Sequence, residues 1–124
     1  MKVLITGASS GIGRDMATEF AQKGYELVLV ARDLEKLNEV KKELNTNIKT
    51  VCMDISNVEN CRKLYEENKD IDILINNAGF GDCGYFTKTN LEKEISMIDT
   101  NIVAYHVLTK LYLQDMKEKD KEKF

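Results

Sequence analysis

The sequence lacks the features that mark several protein classes. It contains no proline, no low-complexity tract and no internal repeat, which argues against a solenoid or a repeat array. No apolar run approaches the ~18 residues that a membrane-spanning helix needs, so we expect no membrane partner. The formal net charge is −3, and this balance gives no basic surface for nucleic acid or for an anionic membrane.

Cysteine is also scarce. Cys52, Cys61 and Cys83 are an odd number and form no C-x-x-C pair. This usage is typical of free thiols in a reducing compartment and argues against a metal site. The chain begins directly with an apolar strand rather than with a secretory leader, so we expect a cytoplasmic protein.

What is present is an ordinary globular composition. Of the 124 residues, 43% are apolar and 31% are charged. A chain near this length can bury most of the surface that it exposes when unfolded. We find no linker, and we therefore expect residues 1–124 to form a single domain.

Short apolar runs alternate with longer segments of helical spacing. The predicted strands are Lys2–Ile5, Leu27–Val30, Ile48–Met53 and Ile71–Ile75. Four helices are predicted. The first runs from Ile12 to Gln22, and its inner face carries Ile12, Met16, Ala17, Phe20 and Ala21. The second is capped by Asp33, and its inner face carries Leu34, Leu37, Val40 and Leu44; the third is capped by Ser56 or Asn57, and the fourth runs from Leu91 to about Lys117. This alternation predicts an α/β fold: a doubly wound parallel sheet in three layers, with strand order 3-2-1-4 and strand 3 at an edge.

A glycine-rich turn connects the first strand to the first helix. It reads Thr6-Gly-Ala-Ser-Ser-Gly-Ile-Gly13. A helix that starts here presents unpaired N–H groups and the positive end of its dipole to an anion, so the turn is a candidate phosphate site. Gly7 permits the sharp exit from the strand, while Gly11 and Gly13 remove side chains where a pyrophosphate and the sheet approach the helix. The alternative is a purely structural turn.

A second motif, Asn76-Asn-Ala-Gly79, follows the fourth strand. With the glycine turn, it makes the whole chain resemble the N-terminal half of a classical short-chain dehydrogenase/reductase, a Rossmann-type fold. The resemblance implies the following cofactor contacts: Gly7, Ser9, Ser10, Gly11, Ile12 and Gly13 at the pyrophosphate and adenosine ribose, Asp54 and the Ile55 backbone at the adenine, and Asn77, Ala78 and Gly79 at the ribose and the sheet centre. It also implies a catalytic role for Asn101 in a proton relay.

Arg32, after the second strand, bears on the choice of cofactor. Relatives that use NAD usually carry an acid near this point, whereas a guanidinium suits a 2′-phosphate. We therefore favour NADP (NADPH) and keep NAD as the alternative, because the neighbouring Asp33 offers the acid. Arg14, in the first helical turn, either assists the phosphates or is solvated.

The family's chemistry is hydride transfer between the nicotinamide and a carbonyl or alcohol substrate. Its serine and its Tyr-x-x-x-Lys pair would follow a fifth strand, which the sequence does not reach. Tyr105 and Tyr112 have no lysine four positions on, and we interpret both as packing residues. We therefore expect a fragment that binds cofactor without turnover. The alternative is a non-catalytic dinucleotide-binding or interaction module; epimerase or dehydratase chemistry is disfavoured by the Asn76–Gly79 motif.

Two further expectations concern surfaces. Without a fifth strand, Ile71–Ile75 is an open apolar edge, and the helix through Ile102–Leu113 is apolar almost all round. We therefore expect a homo-oligomer or a self-associating fragment. In the loop before Leu91, the aromatic residues Phe80, Tyr85 and Phe86 either line a substrate cleft or cover the core.

Overall fold

The computed structural model describes residues 1–79 and 86–122. Phe80, Cys83, Tyr85 and the side chain of Phe86 lie outside this description. The strands are β1 (Lys2–Thr6), β2 (Glu26–Ala31), β3 (Ile48–Cys52) and β4 (Ile73–Ile75). The helices are α1 (Gly11–Gln22), α2 (Leu34–Glu43), α3 (Val58–Glu67), α4 (Leu91–Ile98) and α5 (Tyr105–Glu122), with a 3₁₀ turn at Phe86–Lys88 and a π-helical segment at Asp99–Ala104.

The strands form one parallel sheet in the order β3-β2-β1-β4, as the sequence predicts. Thr6 is in register with Val30, so the carboxyl ends of β1 and β2 lie side by side. β4 is shorter than predicted, because Asp72 turns its carboxylate back toward β1. Its side chain accepts from the amide of Lys2 at 2.8 Å, while its own amide donates to the Lys2 carbonyl at 2.9 Å.

Alternate residues of the central strands point into two separate cores. On one face, β1 and β2 pack against α1 and α2 through Val3, Ile5, Leu27, Leu29, Ala17, Ala21, Leu37 and Val40. On the other face, they pack against α3 and α5 through Leu4, Val28, Val30, Cys61, Leu64, Leu108 and Tyr112. Burial on both faces explains why these strands are continuous apolar runs.

Two residues assigned to buried helix faces are in fact exposed. Ile12 is 67% exposed and Leu34 is 52% exposed. Both lie in the first turn of a helix, where the chain has just left the carboxyl edge of the sheet and no strand lies beneath it. The helical period was therefore right for α1 and α2, but each buried stripe begins one turn later.

The long helix predicted from Leu91 is not one regular helix. α4 passes through the π-helical segment Asp99–Ala104 into α5. Thr100, Ala104, Leu108 and Tyr112 are buried, whereas Ile102 and Leu113 are 62% and 58% exposed. Among the described residues, then, this helix packs on one side only. None of the described helices combines the length and apolarity that crossing a membrane requires.

Candidate cofactor site

The carboxyl ends of the four strands surround a cavity of about 360 Å³. Nine of the twelve predicted cofactor-binding residues line it: Gly7, Ser9, Ser10, Arg32, Asp54, Ile55, Asn77, Ala78 and Gly79. Gly11, Ile12 and Gly13 do not. Asp33, which the sequence offers as the acid for NAD, also lines the cavity. The structure adds five lining residues that the sequence does not indicate: Val30, Ala31, Lys36, Met53 and Thr100. Nine predicted residues thus converge on one cleft from the ends of all four strands.

The start of α1 differs from that of the other helices with described caps. Its N-cap, Ser10, makes no side-chain capping hydrogen bond, and the first turn holds no acidic residue. α2, α3 and α4 are each capped by a side chain, from Asp33, Asn57 and Asn90 respectively, and each has a glutamate in its first turn. Within the described part of the chain, the positive dipole end and the first amides of α1 therefore have no capping side chain.

The three glycines of the turn have different structural roles. Gly7 has φ +64°, and a Cβ there would lie 2.8 Å from the Ala78 Cα. A Cβ on Gly13 would lie 2.3 Å from the Gly7 carbonyl oxygen, so Gly13 is required by packing within the protein. Gly11 has φ +57° with nothing within 4 Å of its Cβ position, which leaves the space beside it open.

Thr6 joins the two motifs. Its buried hydroxyl accepts from the amides of Asn77 and Ala78, both at 3.0 Å, and donates to the Ile75 carbonyl at 3.4 Å. The Asn77 side-chain amide donates to the Gly7 carbonyl at 3.2 Å. β1 therefore holds the turn after β4 in place. The sequence shows a threonine at the end of a strand, but nothing in its spacing indicates this bracing role.

The π-helical segment brings polar groups to the same turn. Thr100 lines the cavity, and the Oδ1 of Asn101 lies 2.6 Å from where a Cβ on Gly79 would stand. Asn101 itself lies just outside the cavity lining. π-helical segments are frequent at functional sites because they re-aim side chains along a helix.

Tyr105 does more than pack, contrary to the sequence interpretation. Its hydroxyl donates to the carbonyl of Ala78, tying α5 to the turn after β4. Burial raises the pKa of the Tyr105 hydroxyl, so this group stays protonated and remains a donor.

The acidic residues of the cavity are engaged by backbone amides. Asp33 caps α2 by accepting from the amide of Lys36 at 3.1 Å. Asp54 accepts from the amide of Ser56 at 3.0 Å, which forms a turn before α3.

Arg14 does not line the cavity. Its guanidinium pairs with the Glu43 carboxylate at the end of α2, and this partner raises the pKa of Arg14.

One Tyr-x-x-x-Lys spacing does occur in the sequence, at Tyr65 and Lys69. The structure places Tyr65 on α3, away from the cavity. Its hydroxyl donates to the Asp115 carboxylate at 2.8 Å, while the Lys69 ammonium lies 3.7 Å from the centre of its ring. The ring also meets the buried Tyr112 edge-on at 5.1 Å. This pair therefore packs α3 against α5.

Taken together, the sheet order and the cleft at its carboxyl edge define a Rossmann-type fold with a candidate dinucleotide site. The chain belongs to the short chain dehydrogenase family, whose model matches residues 1–123.

Individual relatives agree with this assignment. The chain is 40% identical over 110 residues to an uncharacterised oxidoreductase of Staphylococcus epidermidis, covering 85% of the chain and 48% of that protein. It is 33% identical to an NADP-dependent 3-hydroxy acid dehydrogenase of Salmonella typhi, covering 98% and 51%. A short-chain dehydrogenase from Sphingobium yanoikuyae, solved in complex with NADPH, superimposes with a TM-score of 0.86 at 33% identity, covering 95% and 49%. The chain thus spans about half the length of these relatives.

Proposed function

We propose that this chain is the cofactor-binding part of an NADP-dependent oxidoreductase that transfers hydride between the nicotinamide and a carbonyl or alcohol substrate. The observation that carries the proposal is the cleft itself. It combines the Ser9 and Ser10 turn and an uncompensated helix N-terminus with Arg32 on one flank and the Asn77–Gly79 turn on the other.

The residues present fit such a cofactor. Among the described residues, no side chain caps the first amides of α1, and a pyrophosphate suits this helix start. Gly11 leaves open space there. The guanidinium of Arg32 suits a phosphate on the adenosine ribose, Asp54 and Ile55 border the place for the adenine, and Asn77, Ala78 and Gly79 border the place for the second ribose.

Two relatives support the choice of NADP. One is described as an NADP-dependent dehydrogenase, and another was solved in complex with NADPH. The bound dinucleotide would supply hydride to a carbonyl substrate, or accept it from an alcohol. This chain orients it, and Asn101, beside Gly79, is our candidate for a proton-relay role.

We expect the 124-residue chain to bind cofactor without turnover. Among the described residues, the one tyrosine–lysine pair at the family's spacing lies at the end of α3, where the Tyr65 hydroxyl donates to Asp115. The purified chain should therefore quench or enhance NADPH fluorescence on binding, yet leave NADPH unoxidised when mixed with a panel of carbonyl compounds. Oxidation above background would contradict this expectation.

The experiment that tests the cofactor choice is Arg32→Ala, with NADPH and NADH titrated in parallel. Loss of a hydrogen bond to a charged group costs ~1.5–3 kcal/mol, so NADPH should bind roughly ten- to a hundredfold more weakly. NADH binding should change little. Arg62→Ala, an exposed change on α3, is the matched control. Equal losses for the two cofactors would argue against a 2′-phosphate contact.

We also propose that the chain self-associates. In the described sheet β4 pairs with β1 alone, so its other edge is available for pairing with another strand. The apolar residues Leu91, Ile95, Ile98, Ile102 and Leu113 lie exposed along the same helical run. Light scattering at micromolar concentration should show a mass above that of one chain.

A further inference from the structure

Lys36 lies on the same side of the cavity as Arg32, the residue proposed to favour NADP over NAD. It lines the cavity together with Arg32 and Asp33. The rotation of α2 is fixed by Leu37 and Val40, which are buried against the sheet. This anchoring leaves Lys36, exposed in the first turn of α2, on the cavity side of the helix.

Lys36 is available for a ligand. Among the ion pairs of the described residues, none involves its ammonium group. The exposed α2 lysines at the other end of the helix, Lys41 and Lys42, lie in its last turn and do not border the cavity.

Asp33 is the group that would oppose a phosphate here. Its Oδ1 already accepts the amide hydrogen of Lys36, and its backbone carbonyl accepts from Leu37 at 3.1 Å. A carboxylate that caps a helix is held by the first-turn amides and by the helix dipole, which partly compensate its charge. The cap therefore fixes Asp33 in a structural role.

From this arrangement we propose that Lys36 is a second cation, alongside Arg32, for the phosphate on the adenosine ribose, and that Asp33 serves as helix cap rather than as acceptor for a ribose hydroxyl. The inference rests on the proposed function and extends it to a specificity-determining residue on α2. A phosphate monoester carries a charge of about −1.5 to −2 at neutral pH, so two cations match it better than one.

The test is Lys36→Gln, with Lys42→Gln as the matched control that removes the same charge from the far end of α2. NADPH, NADH, 2′-AMP and 5′-AMP are titrated against each protein at low and high salt. We expect Lys36→Gln to weaken NADPH and 2′-AMP about fivefold, the size of one partly exposed ion pair, with a shallower salt dependence. NADH and 5′-AMP should bind as before, and Lys42→Gln should match the wild type.

A second variant tests the assignment of Asp33. Asn is as good a cap as Asp, so Asp33→Asn keeps the helix and removes the charge. NADPH should bind somewhat more tightly, and NADH should be unaffected. Selective loss of NADH binding would show that Asp33 holds the ribose hydroxyl and would overturn the inference.

The outcomes separate the two proposals. Wild-type protein that binds neither dinucleotide overturns the proposed function and the inference with it. Wild-type protein that prefers NADPH, combined with a Lys36→Gln variant of unchanged affinity, overturns the inference alone. Equal weakening of NADPH and NADH by Lys36→Gln also overturns it, because the lysine would then act at a part of the cofactor that both share.

Discussion

Replacing Thr6 by valine tests whether one buried hydroxyl holds the two motifs together. Valine keeps the shape and volume of the side chain but removes the acceptor for the amides of Asn77 and Ala78. The Asn77 amide also reaches the Ile75 carbonyl at 3.1 Å, so the Ala78 amide suffers most. A donor left unsatisfied in the interior costs ~1–3 kcal/mol, and we expect about 2 kcal/mol of destabilisation.

Thr6→Ser is the matched control. Serine keeps the hydroxyl and gives up one buried methyl group, which is worth ~0.8 kcal/mol. Both variants should therefore unfold at lower urea than the wild type, with valine the more damaging. Cofactor affinity should separate them more clearly, because only valine releases the Asn77–Gly79 turn from β1.

The measurements are urea denaturation followed by circular dichroism, and titration of NADPH fluorescence. If Thr6→Val is no less stable than Thr6→Ser, the hydroxyl does not brace the turn. Unchanged affinity in the valine variant would show that the turn after β4 holds its shape without β1.

Three other changes have clear expected outcomes. Gly13→Ala places a Cβ 2.3 Å from the Gly7 carbonyl and should lower both the unfolding midpoint and NADPH affinity; wild-type behaviour would contradict the contact. The pKa of Asp72 is lowered chiefly by the Lys2 amide, with a smaller effect of Lys119, so its stabilisation is complete at neutral pH and is lost as pH falls through the native pKa. Asp72→Asn should therefore destabilise at pH 7 and match the wild type in acid; an equal deficit at both pH values would refute the assignment. Ile102→Glu should reduce self-association by light scattering without lowering the unfolding midpoint; an unchanged mass would show that the contact does not use this helix face.

The topology could be predicted because it follows from local signals. Continuous apolar runs at Val3–Ile5 and Leu27–Val30 indicate strands buried on both faces. Because a helix connects each strand to the next, neighbouring strands are expected to pair in parallel. Asp33 was predicted correctly as a cap, since aspartate before an apolar helical stripe is a local signature with a known mechanism.

What could not be predicted depends on contacts distant in sequence. The bracing by Thr6 joins residues about seventy positions apart, and no periodicity reports it. Lys36 and Thr100 reach the cavity through the rotation of their helices, which buried neighbours set. Ile12 and Leu34 fit the helical period yet are exposed. Helical periodicity predicts which side of the helix a residue occupies, but it does not predict where the strands beneath that helix end.

The π-helical segment at Asp99–Ala104 has a consequence for how this region tolerates changes in length. Each residue of an α-helix turns the chain by about 100°, so removing one residue from a regular stretch of α5 would rotate everything after it. A π-helical turn holds one residue more than an α-helical turn, so a single deletion within Asp99–Ala104 would convert it to regular α-helix and leave α5 in phase with α4. Tyr105 would keep the Ala78 carbonyl, and Leu108 and Tyr112 would stay in the core. The extra residue therefore serves the placement of Thr100 and Asn101 at the turn after β4, and the packing of α5 does not require it.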